Sequence, residues 1–512
     1  MIAASDRSLV QAGAWTPTQL VILLIVIGFA VRLAFAALVS LEVDGSYSTV
    51  IARQLSWSYF DHPPVHYWLV WLASHIFGSE AAIVVRLPFI LMFAGSTWLL
   101  FRITADIFDD WAGLWAALIL NLCPSFTLAF SIFVVPDGPV FFFMLLAVLF
   151  FSRIAFDTTS SDSLKLDWLA AGAAGGAAIL AKYSGIFFFV GALVFVATVP
   201  RLRFWLRTPW PWAGAAIGAV IFSPVLIWNA QHEWISFLFQ GMRATSSASG
   251  SAKEVYGNIV GQIGYLAPWF FLPMAVVLFR AGRRPSSERQ WFFFCFAAGP
   301  IVAFTLLNFL QRGLPHWTLP GWLMTMPLLG YEIARFPERW RRLTGYVAAI
   351  GVVVIVAAFA IVALNVRTGV VAHAIEDALG RPVRDQTLDL YNWKDIEPEL
   401  KRRGDLTADI KFLGSLNSTD TGKLGHALGS AMPLICLCDD VDIHHFRFMP
   451  DEAAILGSNG LIVAPDDVPA QRYERLRTRF ARFDYLPDVV LYRGGRPALR
   501  FHVVRGIGLK PR

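Results

Sequence analysis

Charge is scarce in this sequence. Only 16% of its 512 residues are Asp, Glu, Lys or Arg, while 56% are hydrophobic, and the mean hydropathy is +0.55. A soluble domain cannot hide that much apolar surface, so a soluble enzyme is excluded and a polytopic membrane protein is expected. Cysteine is scarce too, with four in the whole chain. Cys123 and Cys295 fall in apolar runs and read as inert. Cys436 and Cys438 are too close in sequence for an easy disulfide, so no disulfide framework is expected. No H-E-x-x-H or paired C-x-x-C spacing is present, and no bound metal or other cofactor is expected. No Gly-rich phosphate loop follows a strand, which argues against a nucleotide-sugar or ATP site. There is no internal repeat and no low-complexity tract. The first apolar run has no small-residue cleavage site and reads as an uncleaved anchor.

What is present is a series of apolar runs. They lie at 17–40, 81–103, 111–130, 140–155, 168–181, 186–199, 212–228, 263–279, 291–310, 318–334 and 347–366, which makes about 11 crossings. The run at 65–77 is too short to span and reads as an interfacial helix along the membrane. Abundant Trp suits many water–lipid boundaries. The net charge of +6 comes from basic loops. Arg201, Arg203 and Arg207 share a side with Arg280, Arg283, Arg284 and Arg289, and with Arg335, Arg339, Arg341 and Arg342. That pattern marks membrane topology, and no nucleic-acid partner is expected. The basic side should be cytoplasmic and the N-terminus with it. The protein is then expected in a bacterial inner (plasma) membrane, contacting its lipids, with everything after about residue 367 in the periplasm. There the composition turns polar and mixed. Strand-like PLICLC, GLIVAP, VVLYRG and LRFHVV alternate with helix-like EPELKRR and PAQRYERLRTRFARF. The expected division is a transmembrane domain over 1–366 and a small α/β domain over 367–512.

On this topology the unusual polar residues gather at one level. Asp44, Tyr59, Asp61 and His62 lie in the first outer loop, within the stretch Glu42–Trp68. Arg86 opens the second span. Asp137 lies in the second outer loop, Lys182 and Tyr183 tip the third, Asn229, His232 and Glu233 begin the fourth, and Arg312, His316 and Trp317 lie in the fifth. Carboxylates beside Lys, Arg and His at a water–lipid boundary suit binding of a lipid-linked anion and deprotonation of a hydroxyl. Each residue also has a plainer reading. Asp44 can be a solvated helix-end acid. Asp61-His62-Pro63-Pro64 can be only a turn. Asp137-Gly138-Pro139 makes a turn and a helix N-cap. Lys182 can snorkel, and His316 can anchor the interface beside Trp317. Arg32, mid-span, reads as paired inside the bundle. His373, His444 and His445 read as surface residues of the C-terminal domain.

The motifs YFDHPPVHYW (59–68), VRLP (85–88), VVPDGPV (134–140), AKYSGI (181–186), SPVLIWNAQHEWISFLFQG (223–241) and LPHW (314–317) resemble those of GT-C membrane glycosyltransferases. The resemblance is to glycosyltransferase family 39 and its bacterial relatives, which include aminoarabinose and galacturonic acid transferases of lipid A or lipopolysaccharide core. It covers most of residues 20–330. It implies the GT-C fold with about 11 transmembrane helices, a polyprenyl-phosphate sugar donor, and a hydroxyl on an extracytoplasmic lipid or glycan acceptor. By this resemblance Asp44 is the catalytic base. Tyr59, Asp61 and His62 line the pocket for donor and acceptor, and Asp137 is the second-loop acid. Lys182 lies near the carrier phosphate, with the Arg312–Trp317 turn as a further wall. Many relatives carry an acidic pair where this chain has Asp44-Gly45, so any role of the second acid is either absent here or taken by another residue, Glu42 or Asp61. Arg86 and Arg312 are expected to join Lys182 and His62 in stabilising the leaving phosphate.

Protein O-mannosyl transfer is the alternative within this class. A lipid or solute transporter with an outer sensor domain is the alternative outside it. Transporters place substrate near the midplane in repeated halves, and here only Arg32 is central. A non-catalytic assembly protein for envelope polysaccharide is a third reading.

Overall fold

The computed structural model describes residues 15–157, 161–243, 250–310, 313–429, 432–439, 442–449 and 452–511. Helix α1 (Pro17–Leu38) opens with a capping box: Thr16 accepts from the Gln19 amide and Gln19 reaches back, with Pro17 in the first turn. Two short helices follow, α2 (Val43–Ala52) and α3 (Val65–Phe77). The second matches the expected interfacial helix and ends at Gly78, whose φ of 60° suits glycine. The bundle continues through α4 (Ala82–Ile107), α5 (Asp110–Leu122), α6 (Asp137–Phe156), α7 (Ser161–Ala181), α8 (Phe187–Thr198) and α9 (Trp210–Gln231). Then come α10 (Ile235–Arg243), α11 (Ala252–Leu266), α12 (Pro268–Arg283), α13 (Glu288–Leu306), α14 (Leu319–Ala334) and α15 (Glu338–Thr368).

Among the described residues seven helices are long and apolar enough to cross a membrane, and two bent pairs raise the number to nine. A helix stands at each of the expected crossings, but α5 has 13 residues and α14 has 16. Both are short for a bilayer core that takes about 20 helical residues. The expected single run at 263–279 is instead broken at Ala267, whose φ of 67° turns α11 into α12 by 113°. The polar stretch after Asn229, read as loop, holds α10 and α11.

Two packing features fix the bundle. Gly172 and Gly176 of α7 face Gly214 and Gly218 of α9 so closely that a Cβ on Gly172 would run into the Gly214 carbonyl, the small-residue contact that lets membrane helices touch. Phe151 sits among Phe188, Phe195, Phe292, Phe296 and Trp168, all within about 6 Å between ring centres. Arg32 is buried and satisfied as expected. It donates to Ser131 Oγ (2.7 Å), Thr127 Oγ1 (2.6 Å) and the Gly28 carbonyl (2.9 Å), and lies over Phe93.

After α15 the chain forms α16 (Val370–Leu379), α17 (Ile396–Arg403), β1 (Ile410–Ser415), α18 (Ser418–Leu428), β2 (Leu434–Cys436), β3 (Asn459–Pro465), α19 (Ala470–Arg477), β4 (Phe480–Arg493) and β5 (Arg496–Leu509). The sheet order is β2-β1-β3-β5-β4; β1 runs parallel to β2 and β3, and β5 antiparallel to β3 and β4. Gly494 and Gly495, with φ of 56° and 81°, make the β4–β5 turn. Three details differ from the sequence reading. The run expected as one helix to Phe483 stops at Arg477, because Phe480 and Phe483 enter the sheet. Helix α18 was not anticipated, although Asn417 caps it by accepting from the Asp420 amide. Cys436 and Cys438 are joined as a disulfide, with Cα atoms 5.1 Å apart.

The sheet domain is docked on the first loop through α18 against α2. Gly422 lies on Tyr47 and Gly425 on Val50. Lys423 is buried and donates from Nζ to the Leu41 carbonyl (2.5 Å) and to the Asp389 carbonyl.

Candidate active site

The start of α2 is held from three sides. Asp389 Oδ1 accepts from the Val43 amide at 3.1 Å, and Lys423 grips Leu41. Glu42 accepts from Arg86 Nη2 at 2.7 Å and from the Val134 amide at 2.7 Å. Arg86 also donates to the carbonyls of Ser40 (2.8 Å) and Val39 (3.3 Å), and its side chain is fully buried. This corrects one expectation: Arg86 does not line the cavity described below and so is not a contact for a leaving phosphate. It neutralises Glu42, and together they lock the entry to α2. Glu42 is thereby removed as a stand-in for the second acid. The space where that acid would sit is also filled, since a Cβ on Gly45 would meet the Glu42 carboxylate.

A cavity of about 620 Å³ opens beside α2. It is lined from each expected loop tip: Asp44, Asp61 and His62 from the first, Asp137 from the second, Lys182 and Tyr183 from the third, Gln240 from the fourth, and His316 and Trp317 from the fifth. Arg312 lies outside the described residues. Tyr59 is a second correction. It is fully buried behind the cavity wall, its ring tilted against that of Tyr67 with centres 4.1 Å apart, and its hydroxyl accepts from the Ser56 amide and donates to the Gln54 carbonyl. It supports the 59–62 loop and does not line the cavity.

At one end of the cavity stand Asp44, Tyr47 and Ser48 of α2. The Asp44 side chain is exposed towards the cavity, while protein crowds its carboxyl on the other sides. Burial, with the charges of Glu42, Asp389 and Asp61, pushes its carboxyl up to about 6, against a smaller lowering by His444. Asp61 is buried. Tyr47 donates its hydroxyl to Asp61 Oδ2, and His444 Nδ1 lies 2.7 Å from Oδ1. Burial alone would raise Asp61, but the hydrogen bond and charge of His444, joined by Tyr47, outweigh it and hold the group below the usual carboxylate value. Its carbonyl accepts from Gln240 Nε2 at 2.6 Å. At the other end Lys182 Nζ meets Asp137 Oδ1 at 2.8 Å. Asp137 begins α6 but makes no cap bond, so its N-cap reading gives way to this ion pair. His62 and His66 stand between the ends, 5.8 Å apart between rings. His316 packs between Phe130 and Tyr265, and burial lowers it to about 4. Phe133, Phe304, Leu307 and Leu314 supply apolar wall.

The C-terminal domain completes this cavity with Ser418, Thr419 and His444. His444 and His445 were read as surface residues; the structure corrects both. His444 pairs with Asp61. His445 is buried, accepts from the Phe60 amide at Nδ1 (3.1 Å), and donates its own amide to the Tyr47 hydroxyl (3.1 Å). No local motif marks these residues, because the contacts span about 380 positions of sequence. Among the described residues no group of three or more His, Cys, Asp or Glu is arranged to hold a metal ion.

Residues 61–228 match the family model described as dolichyl-phosphate-mannose-protein mannosyltransferase. A lipid A galacturonosyltransferase, RgtD, of Rhizobium johnstonii is 26% identical over 313 residues, covering 59% of this chain. The match spans 63% of that relative's length. In fold the chain is similar to ArnT from Cupriavidus metallidurans bound to undecaprenyl phosphate, with a TM-score of 0.64, 19% identity, and coverage of 97% of this chain and 100% of that one. The apo state of the same protein matches with a TM-score of 0.64 and 17% identity, over 97% and 99% of the two chains. These matches bear out the expected likeness to GT-C, family 39-like proteins and the expected fold: a polytopic helical bundle with a small C-terminal α/β domain.

Proposed function

We propose that this protein is an inverting membrane glycosyltransferase. It moves a sugar from a polyprenyl-phosphate donor to a hydroxyl of an envelope acceptor, with lipid A or lipopolysaccharide core as the acceptor class. One observation carries the reading: a single cavity joins a carboxylate of raised pKa, Asp44, to the Lys182–Asp137 ion pair, with apolar wall beside it. The relatives support the substrate classes, one solved with undecaprenyl phosphate and one named for lipid A.

In the proposed step the acceptor oxygen attacks the anomeric carbon from the face opposite the phosphate. A carbon–oxygen bond forms to the acceptor and the carbon–oxygen bond to phosphate breaks. The acceptor proton passes to Asp44, and polyprenyl phosphate leaves as the anion. One displacement inverts the anomeric centre. Phosphate is already a good leaving group, so the chain needs a base at one end and positive charge at the other. Lys182 and His62 supply that charge. Asp137 holds Lys182 in place, and Phe130, Phe133 and Phe304 offer the isoprenoid its apolar contact.

The same reading sets the orientation. Arginine-rich loops face the cytoplasm, so the cavity and the domain over 367–512 lie on the periplasmic side of a bacterial inner membrane, above the transmembrane domain over 1–366. The direct test is Asp44→Asn, assayed for transfer in membranes with a polyprenyl-phosphate sugar. Loss of general-base catalysis should slow transfer by about 10²–10⁴-fold. Near-normal turnover would remove Asp44 as the base.

A further inference from the structure

Between α5 and α6 the chain runs from Cys123 to Pro136 with a single π-helical turn, Ser125–Ala129. Turns of this kind are rare and gather at functional sites. The stretch supplies Phe130, Phe133 and Val135 to the cavity and leads into Asp137. Local turns cannot fix where such a stretch sits; side chains tether it to other elements. Glu42 accepts from the Val134 amide at 2.7 Å, Ser125 donates to the Tyr265 carbonyl, and Lys182 holds Asp137. A further tether is Arg32. It stands six residues before Leu38, the end of α1, or about 9 Å along the helix. A cation so far inside a span is expensive, and function is its default explanation.

Its partners are neutral. Nε donates to Ser131 Oγ at 2.7 Å and Nη2 to Thr127 Oγ1 at 2.6 Å, so one planar fork bridges two hydroxyls four residues apart. Helix α1 leaves room for that fork, since a Cβ on Gly28 would stand 2.7 Å from Nη1. Among the described residues no carboxylate pairs with Arg32. Such a charge could bind an anion or hold the turn. The cavity beside it, walled by Asn121, Thr127 and apolar residues of α1 and α15, measures about 30 Å³. That is room for a water or two and too little for a headgroup phosphate. Holding the turn remains. Thr127 and Ser131 are fully buried, and Ser131 also donates to the Thr127 carbonyl at 2.6 Å, so the guanidinium grips the turn as a unit. Phe130 lies within that grip in sequence, lines the cavity, and packs on His316 with ring centres 5.7 Å apart.

We propose that Arg32 is a positioning residue for the donor. From inside the first span it holds the turn over 127–131, and through that turn it sets the Phe130 and Phe133 wall against which the carrier isoprenoid lies. An apolar residue at this position would be cheaper in the bilayer but would leave the wall without its register. This rests on the glycosyltransfer reading above, with a polyprenyl-phosphate donor.

The test measures binding, so it does not depend on turnover. Full-length protein in detergent is titrated with undecaprenyl phosphate. Arg32→Met should weaken that binding about tenfold, within the range for residues that act on a site without touching it. Its unfolding temperature should equal or exceed that of wild type, because an apolar side chain replaces a costly buried charge. Ser131→Ala cuts one arm of the fork and should show part of the same loss. The double variant should lose no more than Arg32→Met, because Ser131 acts through Arg32. In transfer assays KM for the polyprenyl-phosphate sugar should rise, while the pH profile set by Asp44 keeps its shape. Unchanged affinity in Arg32→Met would overturn the proposal. So would a loss accompanied by a lower unfolding temperature, or losses that add in the double variant. Wild type that does not bind undecaprenyl phosphate would overturn the glycosyltransfer reading, and this one with it; wild type that binds, with variants that bind equally, overturns this one alone.

Discussion

His444 of the C-terminal domain reaches into the membrane domain's first loop and pairs with Asp61, Nδ1 to Oδ1, at 2.7 Å. It does so with a backbone φ of 50°, a conformation that a residue with a side chain rarely adopts and that costs about 1–3 kcal/mol. The surrounding contacts hold it there. His445 is bound on both sides by Phe60 and Tyr47. Tyr47 links the pair back to α2, which carries Asp44.

Replacing His444 tests this link. In His444→Ala, Asp61 loses its ion-pair partner and Asp44 loses the neighbour that lowers it. Transfer should fall, and the low-pH limb of the rate profile should move to higher pH. A rate profile of unchanged shape would reduce His444 to a packing residue.

The wild-type profile is itself predicted. Asp44 accepts a proton only when ionised, and its pKa lies at about 6. Below that pH the carboxyl is protonated and cannot act as a base. Therefore kcat/KM should fall about tenfold for each pH unit below about 6 and be level just above it. A solvated Asp would place the fall near pH 4. Measuring initial rates from pH 4 to 8 distinguishes the two.

The Lys182–Asp137 pair makes a stability prediction. Both side chains are largely buried, so removing one partner leaves an uncompensated charge, at about 3–5 kcal/mol. Lys182→Met should lower the unfolding temperature more than Lys182→Met/Asp137→Asn, in which no charge is stranded. Both should weaken donor use, seen as a raised KM for the polyprenyl-phosphate sugar. If the double variant is no more stable than the single, the pair is not coupled in this way.

These residues also show what was legible in advance. The loop tips could be placed on one side because lipid makes apolar length and loop charge nearly sufficient to define topology. Asp44, Asp61, His62, Asp137, Lys182, Tyr183, His316 and Trp317 accordingly meet in one cavity. Arg86 and Tyr59 were misassigned because residue type does not reveal which way a side chain points. Arg86 turns to Glu42, and Tyr59 turns behind the loop. Ser418 and His444 were missed because a docking between distant segments leaves no periodicity in either one. The small residues Gly422 and Gly425 were its one local trace, and they are interpretable only once α2 is seen beside them.

That docking provides the last prediction. A Cβ on Gly422 would run into Tyr47 Cα, and Tyr47 is fixed by its bonds to Asp61 and His445. In Gly422→Val the two helices must therefore part. The strain falls on the interface, because α18 tolerates Val with a penalty of only a few tenths of a kcal/mol beyond Ala and is otherwise held by its own sheet. The sheet domain should stay folded, as judged by protease resistance of its core. Transfer should drop severely, because Asp44, Ser418 and His444 lose their common frame. Gly422→Ala adds only the Cβ itself and should show a smaller loss. Normal transfer by Gly422→Val would mean that the C-terminal domain need not touch α2 for the reaction. It would also separate that domain from the catalytic loop.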